Sequence, residues 1–211
     1  AGDILHEWCA DRFGDNAAEV AASCLACAFQ VVFKTQHVFG YWLDTSEKSG
    51  LPSLWELQNY LIEDDYGEAL HKWDSRYRSV WDKIQIPDMT FLRQVLGEKD
   101  EAIDLCRGSL AKLRAARGVF RKEDFDYLER ALVFQEQWAR LWRALVHAFF
   151  LHRIGITRGD MQLVEPQLKK ALAELSSEAD KMEETFGRDV FPRGPGRARE
   201  FIRDLVESAR G

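Results

Sequence analysis

The chain has 211 residues, with 29 Lys and Arg against 35 Asp and Glu, a net charge of −6. With 46% hydrophobic and 30% charged side chains, this balance excludes a disordered chain and argues against a general nucleic-acid binder. Seven Trp and a 12% aromatic share supply a sizeable core, and the length suits one large domain or two small ones.

Apolar residues recur at intervals of three and four and almost nowhere at two, which predicts an all-α chain. The first helix spans about Ile4 to Phe13, and Gly14 suits the left-handed residue that closes it. Asp15 caps a second helix with the stripe Val20, Cys24, Cys27, Val31 and Val38, ending at Gly40. Residues 39–53, rich in Gly and Ser with one Pro, are expected to be a long loop. A short helix follows over Trp55–Ile62. Asp64 or Asp65 opens another, with Tyr66, Leu70, Trp73, Tyr77, Val80 and Ile84 in line, ending before Pro87.

Helix resumes after Asp88. Leu96, Ile103, Cys106, Leu110, Leu113 and Phe120 keep near-heptad spacing, with Gly97 expected to break this helix and Gly118 to end it. Phe125, Leu128, Leu132, Trp138, Trp142, Leu145 and Phe149 line a helix of about 30 residues, apolar on most sides and therefore central. Residues 154–159 read as a connector. Met161 to Phe186 form the next helix, closed by Gly187, and a loop over 188–196 leads to a final helix over 197–209. The pattern predicts an all-α antiparallel bundle of about six to seven helices around three long central ones, as one domain. No apolar run nears the roughly 20 residues that span a bilayer; Ala144–Leu151 comes closest.

Several groupings could carry chemistry. Cys24 and Cys27 form one C-x-x-C inside a helical stretch, which fits packed thiols or, with further ligands, metal or redox chemistry. Free thiols favour a cytoplasmic setting. Glu68 and His71 make one E-x-x-H, where a di-iron bundle needs two. His147 and His152 project about 140° apart on a helix, a poor pair for one metal, and His147 suits a core position. Glu63, Asp64 and Asp65 sit where a helix begins, which acidic residues favour. Arg193, Arg197, Arg199 and Arg203 suit a solvated helix face. Neither a catalytic residue nor a metal site nor a cofactor is indicated by motif.

The least ordinary segment is His37-Val38-Phe39-Gly40-Tyr41-Trp42. Ring side chains crowd it where the helical period stops. With Trp55 and Asn59 nearby in sequence, His37, Tyr41 and Trp42 form either a contact surface for a sugar or a partner domain, or a plug on the end of the bundle.

Three stretches carry a family resemblance: W-C-A-D-R-F-G-D-N-A-A-E-V-A from Trp8, the His37–Trp42 segment leading to Leu51-Pro52-Ser53, and Gly97-Glu98-Lys99-Asp100-Glu101-Ala102 with the helices after it. Together, over about residues 3–155, they resemble the helical C-terminal domain that follows the (β/α)₈ barrel in alpha-glucuronidase-type and hexosaminidase-like glycoside hydrolases. In such enzymes the barrel supplies the catalytic carboxylates. The resemblance therefore implies a non-catalytic accessory domain that packs on a catalytic barrel and lends residues to the substrate rim or to a homodimer. Its partners would be that barrel and carbohydrate, with no nucleic acid and no membrane. The Ala-Gly start without Met fits a piece of a longer protein. Alternatives are a stand-alone metal-binding bundle or small enzyme using Glu68, His71, His147 or Cys24 and Cys27, and a purely structural dimerisation domain.

Overall fold

The fold is described from a computed structural model over residues 2–42, 51–58, 78–187 and 194–209. It is all-α and built on three long helices. The elements are α1 (Gly2–Phe13), α2 (Asp15–Leu25), α3 (Ala28–Gln36), strands β1 (His37–Val38) and β2 (Tyr41–Trp42), α4 (Leu54–Gln58), α5 (Arg78–Gln85), α6 (Met89–Ala115), a 3₁₀ turn (Arg117–Val119), α7 (Lys122–Arg158), α8 (Met161–Phe186) and α9 (Gly194–Ser208).

Caps explain several of the boundaries. Asp88 accepts a hydrogen bond from Phe91 N at 2.7 Å and opens α6. Ser53 and Glu56 form a reciprocal capping box at the start of α4, with Glu56 N donating to Ser53 Oγ and Ser53 N to Glu56 Oε2. Gly159, at φ 67°, ends α7 in the left-handed conformation, and Asp160 N reaches back to Gly155 O. At Gly155 a side chain would meet Met161 Sδ and Val164 Cγ2 at 2.8 Å, so this glycine lets α8 cross close to α7.

Several expectations are corrected. The second helix does not run on to Val38. It divides at Ala26–Cys27 into α2 and α3, and His37 turns extended. Gly97 does not break α6; it faces open space, where the propensity cost of a glycine is small against the packing of a 27-residue helix. Residues 154–158 continue α7 to 37 residues instead of forming a connector, because Ile154 and Gly155 are buried against α8. α9 begins at Gly194 with Pro195 in its first turn, where the missing N–H is harmless. With the second helix divided in two, the described helices outnumber the six to seven expected. The helices expected over 59–77 and the loop expected over 188–193 lie outside the described residues.

The search for a membrane-length run also needs correction. Asp15–Gln36 covers 22 residues and is long and apolar enough by composition to cross a membrane: an 18-residue window within it has a mean hydropathy of 1.5, and 28% of that window is buried. Counting uninterrupted apolar residues missed it, because Gln30 and Lys34 interrupt a stretch that carries no charge from Val20 to Phe33. It is split at Ala26–Cys27, and one side lies on α6 through Ala17, Ala21, Cys24 and Val31.

The α6–α7 pair carries two cores. Toward the C-terminal part of α7, Trp142, Phe149, Phe150 and Leu151 meet α8, α9 and the start of α6, with Leu175, Phe186 and Phe201 closing the layer. Toward the N-terminal part of α7, Leu128, Leu132, Leu110 and Leu113 meet α1 and α2 through Phe13, Ala17, Ala18 and Ala21. A smaller group, Val31, Ala102, Ile103, Cys106 and Ala139, seats α3 between them.

Candidate functional site

The segment where the helical period fails is a β-hairpin. Its register pairs His37 with Trp42 and Val38 with Tyr41. A two-residue turn with this twist needs positive φ at both central positions. Gly40 takes 90° without cost. Phe39 takes 48° and is the only described non-glycine residue with positive φ. For a bulky residue that conformation costs about 1–2 kcal/mol, so the surroundings must hold it.

Two adjacent residues of α6 do so. Glu98 and Lys99 are both buried. Lys99 Nζ donates to the backbone carbonyls of Lys34 and His37, and lies 3.2 Å from Glu98 Oε2. Lys34 O is one of the carbonyls that a helix end leaves without an intrahelical donor, and a cation belongs there. The same Glu98 oxygen accepts from Phe39 N at 3.2 Å. The Phe39 ring rests 5.9 Å from Phe91. Burial pushes the Lys99 ammonium down to about 8, with Glu98 opposing the shift. Lys34 itself pairs with Glu101 at 2.7 Å.

A row of rings climbs α3 toward the hairpin. Phe29 stacks on Phe33 with centroids 6.1 Å apart, and Phe33 on His37 at 4.3 Å. The i, i+4 spacing puts Phe29 and Phe33 on one helix face, and His37 follows as the first extended residue. Phe29 is 77% exposed and Phe33 36%, with Val32 and Phe39 also exposed. On α4, Trp55 is 64% exposed.

The expected site residues are described in part. His37 is an internal strut, not an open contact group. Its Nδ1 donates to Phe33 O at 3.0 Å, and burial lowers its pKa. The hairpin ladder brings the backbones of Tyr41 and Trp42 to His37, but their side chains, like all of Asn59, lie outside the described residues. Trp55 stands exposed on α4. Phe29, Phe33, Glu98 and Lys99 were not anticipated as part of the site, whereas Phe39 belongs to the ring-rich segment singled out in the sequence. Phe29 and Phe33 were legible as an i, i+4 pair running into His37. Glu98 and Lys99 were read as the start of a helix and sit inside one.

The other candidates resolve differently. Cys9, Cys24 and Cys106 are buried free thiols, and burial raises all three, Cys106 to about 12. Cys24 Sγ donates to Ser109 O, and Cys27 Sγ lies 3.1 Å from Ser109 Oγ. Among the described residues no group of three or more His, Cys, Asp or Glu is placed to hold a metal ion. Glu63, Asp64, Asp65, Glu68 and His71 lie outside those residues. His147 is not enclosed in the core. It lines an open cleft between α7 and α8, its Nδ1 3.7 Å from Glu174 Oε2 and without a hydrogen bond. Beside it, Arg143 bridges Asp100 and Glu174, and Arg107 and Arg140 share Glu136, so the cleft is an ion-pair seam across the long helices. In the C-terminal arginine group, Arg199 bonds Asp180 and Glu183, Arg197 pairs with Glu200 and Arg203 with Asp204.

No family model, no curated protein and no solved structure matches this chain.

Proposed function

We propose that this chain is a non-catalytic helical interaction domain, and that the ring-bearing end formed by α3 and the hairpin is its contact surface. The observation that carries the proposal is α3 itself. It buries Val31 and Thr35 on one side and leaves Phe29, Val32 and Phe33 in solvent on another. A helix that is apolar on two sides calls for cover on both. The arginines of the long-helix cleft, Arg107, Arg140 and Arg143, are engaged by Glu136, Asp100 and Glu174, which supports a binding role over a catalytic one.

In its finer form, the proposal makes the chain the accessory domain of a carbohydrate-active enzyme, with the α3 end packed on a (β/α)₈ catalytic barrel. The three stretches named above support that form. The test is co-expression with the polypeptide encoded immediately ahead of this chain in the same reading frame. A stable complex that Phe29→Asp with Phe33→Asp abolishes is the expected result. The chain alone should not hydrolyse 4-nitrophenyl glucuronide or N-acetylglucosaminide. Turnover by the chain alone would overturn the non-catalytic assignment, and a preceding sequence without barrel pattern would remove the carbohydrate-enzyme form. A concentration-independent dimer lost in the same double variant would replace the barrel with a second copy.

A further inference from the structure

We infer that Glu98 and Lys99 form a latch that holds residues 37–42 on α6 as one unit and so sets how the ring row is presented. The functional consequence rests on the proposed contact surface; the latch itself rests on geometry alone. A ladder of two residue pairs is too short to hold itself in water. Its turn contains a phenylalanine in the left-handed region, which favours opening whenever the restraint is lost.

The restraint comes from α6. One ammonium gathers the carbonyl of Lys34, in the last turn of α3, and that of His37, the first strand residue. One carboxylate oxygen joins that ammonium to the N–H of Phe39 at the turn. Three consecutive parts of the chain, the helix end, the strand and the turn, thus hang on two neighbouring side chains.

The charged and titratable groups around Lys99 are few. From α3 and β1 come Lys34, engaged by Glu101, and His37, whose Nδ1 is bound to Phe33 O. From α6 itself comes Glu98. The next residue, Asp100, is taken by Arg143 of α7. Glu98 is thus the acidic partner of Lys99. A closed latch keeps the Lys99 ammonium dry, and an open one returns it to water, where its ordinary value is 10.5. The open form therefore binds more protons between about 8 and 10.5, and closure is favoured as pH rises through that window.

Hydrogen exchange tests this in two independent ways. In Glu98→Ala and Lys99→Met, the amides of residues 38–41 should exchange about tenfold faster or more, while amides of α8 and α9 hold their protection. In the unaltered chain, protection of residues 38–41, corrected for the intrinsic rate, should rise from pH 7.5 to 9.5, and Lys99→Arg should flatten that rise. Unchanged hairpin exchange in Glu98→Ala would overturn the latch. So would protection in the unaltered chain that is flat or falls with pH. Loss of the latch would leave the complex test of Phe29 and Phe33 standing, and failure of the complex test would leave the exchange result standing.

Discussion

The two halves of the α6–α7 pair are covered in opposite ways. Where α8 and α9 lie on it, large rings point inward: Trp142, Phe150 and Phe201 are fully buried. Where α1 to α3 lie on it, the residues pointing inward are mostly small, with Ala17, Ala18, Ala21 and Cys24 buried, and large ones point out, among them Ile4, Trp8, Phe29 and Phe33. Small side chains let helix backbones approach closely but remove little apolar area from water. The first half is a finished core. The second is seated through one face and leaves large side chains of another in solvent.

The sharpest way to break this contrast is the same truncation at both places. Trp142→Ala should cost about 3–5 kcal/mol by chemical denaturation, the range for removing a fully buried aromatic. Phe29→Ala should stay within about 0.5 kcal/mol, because the ring is mostly in solvent. Equal losses would show that the exposed rings belong to the core.

Lys99→Met ranks next. It leaves Glu98 buried without its cation, and breaking a buried pair in this way costs about 3–5 kcal/mol. Replacing both residues with apolar ones of similar size should recover part of that loss. A full-sized loss in the double variant would mean that the unpaired carbonyls of Lys34 and His37 dominate.

At the finished core, Gly155→Ala should cost about 1–3 kcal/mol, since the new methyl meets Val164 and Met161 at 2.8 Å. Gly97→Ala should do the reverse. Its Cβ meets open space on α6, so a gain of about 0.5–1 kcal/mol in unfolding free energy is expected. A loss there would show that the glycine is needed for a close approach.

The sequence disclosed the half under α8 and α9 more fully than the half under α1 to α3. The stripes of α6, α7 and α8 repeat over many turns, so their existence and central place followed from spacing alone, and Asp88 and Gly187 marked ends correctly. The stop at residue 154 failed because packing on Gly155 carries α7 past a point where the pattern weakens. The hairpin was illegible for a different reason. Two-residue strands have no measurable alternation, and a left-handed phenylalanine contradicts local preference. Its support is nonlocal: residues 98 and 99 hold residues 34 to 39, and buried charges on a helix look in sequence like solvated ones. For His37 the sequence left a contact surface and a plug open, because nothing local shows that Phe33 and Lys99 enclose it.

The central claim is that the rings of α3 face a partner and not the interior. Phe29→Asp with Phe33→Asp, followed by calorimetric melting and by sedimentation with the co-expressed preceding polypeptide, tests it most directly. The account predicts a melting temperature within about 2 °C of the unaltered chain for Phe29→Asp alone, as expected for a substitution worth under about 0.5 kcal/mol in a chain of this length, a fall of only a few degrees when Phe33→Asp is added, because that ring also stacks on His37, together with loss of the complex. A fall of 10 °C or more, about what a loss of several kcal/mol would produce, or a complex that survives both charges, would contradict it.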